Sequence, residues 1–190
     1  MTSTETARIS LHPPRTLLYR LAEWYSRRTY GDVLDPGRAL AHNPRVLLSN
    51  VRFEGSVARW HRLDVTLKAL AVMASAATIG CSWCMDFGYW ENNRQGVDPA
   101  KLRDVPRWRE STVYSDLERQ VMAYAEAMST TPLGVTDEMV AGLRRQLDDA
   151  QLVELTMMVA VENNRSRFNS ALGLTSQGFK DRCEIPARVS

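Results

Sequence analysis

Apolar residues recur along this chain at steps of three and four, and almost nowhere alternate with polar ones. The pattern predicts helices and no sheet. In RTLLYRLAEWYSRR, which follows Pro13 and Pro14, residues Leu17, Leu18, Leu21, Trp24 and Tyr25 mark one face of a first helix. Gly31, Pro36 and Gly37 then break the chain. A second amphipathic stretch, PRVLLSNVRFEGSVARWHR, begins at Pro44, whose fixed φ suits a first helical turn.

Asp64 can cap the run from Val65 to about Thr78, because a carboxylate accepts the unpaired N–H groups of a helix start. Gly80 invites a break, and a new helix is expected from Cys81 or Ser82 to about Gln95, stopped by Gly96. The stretch VDPAKLRDVPRW reads as a connector with one short helix. Ser115 and Glu118 form a capping-box pattern before LERQVMAYAEAM, and Thr136 opens DEMVAGLRRQL. A long helix, AQLVELTMMVAVENNRSRFNSAL, should end near Gly173, with an irregular tail beyond it. The expectation is an all-α chain of seven to nine helices. It divides into an N-terminal helical arm (1–43), a helical domain (44–178) and a C-terminal tail (179–190).

Composition changes this picture little. Of 190 residues, 44% are hydrophobic and 24% charged, which is ordinary for a globular domain, and the net charge of +2 makes no case for nucleic acid. Residues 1–62 hold ten arginines against five acids, a surplus that packing on the acidic remainder of the chain can absorb. The apolar stretch at 69–80 is about half a membrane span, and the first residues lack the pattern of a secretory signal. Neither membrane nor nucleic acid is expected as a partner, and cytoplasm is the expected location.

The candidate chemistry lies in GCSWCMDFGYWENNR, residues 80–94. A thiol reacts as thiolate, and a free thiol with a pKa near ~8.5 is mostly protonated at neutral pH. A chain break at Gly80 would put Cys81 and Cys84 in a first helical turn, where unpaired N–H groups favour negative sulfur. Spacing of three also lets the sulfurs meet, as peroxide chemistry requires: one is oxidised to sulfenic acid and the other condenses with it. An external dithiol must then reduce the disulfide. Inert packing and half of a metal site are the other readings. Metal loses on ligand count, since only Cys183, His12, His42 and His61 remain, and no cofactor motif is present. The tetrapeptide ENNR occurs at 91–94 and again at 162–165, each time late in an expected helix.

The Cys-x-x-Cys after an Ala-rich helix, followed by VELTMMVAVENNRSRFNSALG, resembles the carboxymuconolactone decarboxylase-like superfamily, in particular its alkylhydroperoxidase D branch. The likeness spans about residues 45–178. It implies an all-helical subunit that assembles into trimers or hexamers, and a peroxidase in which Cys84 becomes the sulfenic acid. Cys81 would then donate a proton and close the disulfide. Redox members carry a histidine four residues after the second cysteine and a glutamate twelve before the first. Here those positions are Gly88 and Ala69.

Glu91 is the substitute on the same stripe, two turns or about 10 Å beyond Cys84. Gly88 would leave a gap in that stripe. Asp86 points away from Cys84 and reads as a surface or helix-pairing charge, Asp64 as a cap, and His61 as helix surface. The candidate catalytic residues are therefore Cys84, Cys81 and Glu91, with a peroxide as substrate, a dithiol as reductant, and no cofactor or metal. Two alternatives remain. One is a cofactor-free lyase or isomerase using Arg94, Arg165 or Glu162, and the other is a non-catalytic relative that has lost its proton relay.

Overall fold

The apolar run before Gly80 forms the central helix of the protein. In the computed structural model, which describes residues 7–183, this helix, α4, spans Val65–Ile79 after α1 (Leu17–Tyr30), α2 (Asp35–Leu40) and α3 (Pro44–Val57). After it come α5 (Ser82–Arg94), α6 (Pro99–Asp104), α7 (Asp116–Ser129), α8 (Asp137–Arg144) and α9 (Asp149–Ala171). The described residues thus hold nine α-helices and no strand, the all-α class expected.

Residues Leu67, Ala69, Leu70, Ala71, Met73, Ala74, Ser75 and Ala76 of α4 are all buried, so no side of its middle faces water. A helix apolar all round belongs in a core. Its alanines admit α5, α7 and α9 around it. Where three of these helices meet, the Ser75 and Ser129 hydroxyls are 2.7 Å apart, and Asn163 Nδ2 donates to both at 3.0 and 2.9 Å. This buried polar knot fixes the rotation of α9 about its axis, because a slipped register would strand every group in it.

The helix ends follow the sequence closely. Asp64 accepts from the N–H groups of Thr66 and Leu67, and Gly80 ends α4 at φ 81°, a left-handed value that a Cβ would oppose. The Ser115–Glu118 box is closed in both directions, and Thr136 caps α8. A second box, Asp148 with Gln151, opens α9.

Two expectations need correction. Gly31 does end α1 in the left-handed region, but Pro36 and Gly37 sit inside α2 rather than in a break. Proline lacks an N–H that a first turn would leave unpaired anyway. The second amphipathic stretch stops at Val57, since Arg59 and Trp60 donate in tight turns instead of extending the helix.

Of the expected arm and tail, residues 1–6 and 184–190 lie outside the described residues. Within the tail, Phe179 is fully buried and Lys180–Arg182 form a single 3-10 turn. The first helix presents another surprise: Leu17, Leu21, Trp24 and Tyr25 are 81%, 62%, 63% and 56% exposed. Among the described residues only Tyr25 of these has a ring partner, the edge of Tyr30, and the face is otherwise open.

Candidate active site

The chain break at Gly80 sets the geometry of the dithiol. Cys81 is the N-cap of α5, and its Sγ accepts the Cys84 N–H at 3.2 Å. The two cysteines are joined as a disulfide, with Cα atoms 5.3 Å apart. Both sulfurs therefore lie where unpaired helix N–H groups favour negative charge. Cys183 is free and half-buried against the main core. No cluster of potential metal ligands occurs among the described residues.

The two sulfurs face different surroundings. Cys81 borders an open cleft of about 520 Å³, with apolar walls that include Met73, Ala77, Met85, Tyr89 and Leu102. Cys84 turns towards α9, where Ser166 Oγ and Asn169 Nδ2 each lie 3.3 Å from its Sγ. Ser166 Oγ also lies 2.6 Å from Glu162 Oε1, to which it donates. Glu162, Ser166 and Asn169 share one stripe of α9 through steps of four and three, and all three are buried.

Burial pushes the Glu162 carboxyl up to about 7, against the opposing pull of Arg165 and Ser166. Arg165, 3.6 Å from Glu162, is also clamped by both carboxylate oxygens of Glu54. A carboxyl near neutrality, one hydroxyl away from a cysteine sulfur, can take or give a proton at physiological pH.

The sequence candidates fare unevenly. Glu91 is half-buried, and its Oε1 accepts from Gln95 Nε2 at 3.1 Å. The carboxyl linked to Cys84 through a hydroxyl is Glu162, which the sequence had offered only for a lyase. A Cβ at Gly88 would meet Met73 Cγ at 3.6 Å, an ordinary contact, and Asn92 Nδ2 donates to its carbonyl. Ala69 is sealed in the apolar core, so a glutamate there would be a buried charge.

Asp86 is buried and not a surface charge. Its carboxylate accepts the backbone N–H groups of Gln177, Phe179 and Lys180 at 2.9, 3.0 and 2.7 Å. Gln177 in turn accepts from the Trp83 indole and the Asp35 N–H. The segment after α9 is thereby strapped across α5, and its Ser176, Lys180 and Asp181 form one wall of the cleft.

The model of the Carboxymuconolactone decarboxylase family matches residues 44–127, from the start of α3 into α7, both cysteines included. The chain is also 34% identical over 175 residues to the uncharacterized Escherichia coli protein YnjA, covering 92% of this chain and 94% of that one. The chain belongs to the carboxymuconolactone decarboxylase family. Among solved structures, the alkylhydroperoxidase AhpD core of a Ralstonia eutropha peroxidase-related protein superposes with a TM-score of 0.77. It is 15% identical and covers 92% of this chain and 95% of that one. A cysteine-to-alanine variant of the debrominase Bmp8, in complex with 2,3,4-tribromopyrrole, gives 0.79 at 18% identity, covering 93% and 96%. At these identities the shared property is the AhpD-like helical fold. The matched family segment ends before α9, so this member's Glu162, Ser166 and Asn169 all lie beyond it.

Proposed function

We propose that this protein is a thiol-dependent peroxidase that reduces organic hydroperoxides through Cys84 and Cys81. The observation that carries the reading is the contact series Cys84–Ser166–Glu162, which supplies an acid–base group where the sequence has Gly88 and Ala69. In the reduced protein the Cys84 thiol gives its proton to Ser166 Oγ, whose own hydrogen passes to the Glu162 carboxylate. The thiolate attacks the peroxide: an S–O bond forms, the O–O bond breaks, and the departing alkoxide takes a proton back along the same route. Cys81 sulfur then attacks Cys84, forming the S–S bond and expelling water. A small dithiol returns two electrons and two protons, itself closing to a disulfide.

Both arginines that a lyase would use to hold a substrate carboxylate are engaged. Arg165 is paired with Glu54 and Glu162, and Arg94 lies 4.6 Å over the Trp90 ring. The cycle needs a compartment rich in reducing dithiols, and the cytoplasm meets that need. No helix among the described residues is long and apolar enough to cross a membrane.

Peroxide consumption with excess dithiothreitol tests the reading. Wild type is expected to consume cumene hydroperoxide, and Cys84→Ser and Cys81→Ser to fall to the uncatalysed rate. Equal rates in all three proteins would remove the peroxidase.

The subunit also self-associates through α1, whose Leu17, Leu21, Trp24 and Tyr25 lie bare on one face. Sedimentation velocity is expected to show a trimer or hexamer that Leu21→Arg with Trp24→Arg breaks down. A monomeric wild type at micromolar concentration would end that idea.

A further inference from the structure

One half of the Asn169 side chain is out of balance with its surroundings. The residue is 2% exposed, and its Nδ2 lies 3.3 Å from Cys84 Sγ and 3.9 Å from Cys81 Sγ. Its Oδ1 is buried without a hydrogen-bond partner. Buried polar atoms are nearly always paired, so an orphan acceptor beside the reacting sulfurs calls for a donor.

A disulfide cannot be that donor, because it has no hydrogen to give. Reduction by two electrons and one proton leaves one thiolate, which accepts, and one thiol, which donates. An amide offers the complementary pair of groups at one site. We propose that Asn169 is a catalytic residue that selects this mixed form, with Nδ2 donating to the Cys84 thiolate and Oδ1 accepting the Cys81 S–H. The proposal rests on the reading that the pair cycles between disulfide and dithiol.

The geometry sets the direction of the assignment. Cys84 Sγ has the Asn169 amide and the Ser166 hydroxyl each at 3.3 Å, and the hydroxyl can turn its one hydrogen to the sulfur once Glu162 is protonated. Cys81 Sγ has the Cys84 backbone N–H at 3.2 Å and the Asn169 amide only at 3.9 Å. The negative charge is therefore assigned to Cys84, and the hydrogen on Cys81 to the unpaired Oδ1 of the same amide. Both effects stabilise the reduced pair: the thiolate hydrogen bond is charge-assisted, and the orphan carbonyl is satisfied. Asn169 thus makes the disulfide easier to reduce and prepares Cys84 as the nucleophile.

The test uses the full chain with Cys183→Ser, so that only the pair reacts with alkylating reagent. Its disulfide is equilibrated with reduced and oxidised dithiothreitol, and the reduced form is alkylated with iodoacetamide across pH, with fragment masses locating the label. Asn169→Leu is expected to shift the equilibrium towards disulfide by about tenfold or more. It should also slow Cys84 alkylation at pH 7 by a similar factor and move the pH profile upward. Asn169→Asp keeps an acceptor but replaces the N–H donor with a carboxylate oxygen, and is expected to slow Cys84 alkylation further. If Asn169→Leu does not fold by circular dichroism, Asn169→Asp decides alone.

Variants within twofold of the wild type in both measurements, or a wild type labelled first on Cys81, would overturn the role of Asn169. A wild-type pair that never closes under oxidised dithiothreitol would instead overturn the redox reading beneath it. Peroxide enters neither measurement, so the two failures are separate.

Discussion

Replacing Glu162 with glutamine is expected to lower peroxide turnover by about 10²-fold, at the lower end of what a positioned acid–base group contributes. Glutamine keeps the volume and can still meet the Ser166 hydroxyl, but it cannot take the thiol's proton. Wild-type turnover should rise with pH through about 7, where the buried carboxyl ionises, and this inflection should vanish in the variant.

The same substitution has a signed effect on stability. The Glu162 carboxyl titrates near 4.5 unfolded and about 7 folded, because burial penalises its charge. A raised carboxyl contributes stability that is fully present below 4.5 and lost as pH rises through about 7. Between pH 5 and pH 8 the wild type should lose roughly 2 to 3 kcal/mol relative to Glu162→Gln, from the linkage of pKa to folding. Urea unfolding of both proteins at the two pH values measures it. Parallel pH dependence would show that the carboxyl is not buried in the way described, and unchanged turnover would remove it from the relay.

The second large effect is structural. Asp86→Ala leaves the N–H groups of Gln177, Phe179 and Lys180 without their charged acceptor. Hydrogen bonds to a charged group contribute about 1.5–3 kcal/mol each, and partial rehydration of the freed donors returns some of that. We expect a loss of about 3 kcal/mol or more, or roughly a 10 °C fall in melting temperature for a domain of this size. Amide exchange at the three donors should accelerate well beyond that of α7. A loss below about 1 kcal/mol would mean that burial of Phe179, not Asp86, fastens the segment. Since that segment walls the cleft at Cys81, its release should also speed alkylation of the reduced pair.

These expectations show how unevenly the site was written in the chain. The dithiol was legible because it depends on neighbours in sequence: a left-handed glycine, then a cysteine as cap, then a second cysteine one turn on. The contact series proposed as a relay was not legible, because Ser166 and Glu162 lie 82 and 78 positions from Cys84, and reach it only through the packing of α9. Along α5 itself the stripe through Cys84 offers only Glu91, whose carboxylate is held by Gln95. One hint was available: Glu162, Ser166 and Asn169 sit at steps of four and three in a helix that also carries apolar core residues. A polar stripe with core spacing signals buried polar work. The role of Asp86 is hidden for the complementary reason. Its partners are backbone groups of a tail with no periodic pattern, so nothing in the local sequence announces them.

The amino-acid sequence alone determined the helices, their caps and the place of the sulfur pair, because these rest on interactions within about one helical turn. Tertiary structure alone decided which carboxyl lies one hydroxyl away from Cys84, which carboxyl pins the tail, and which amide borders both sulfurs. Each of those depends on how α9 and the residues after it pack against α4 and α5. Helical periodicity says which residues share a face, but it cannot say which distant face will meet it.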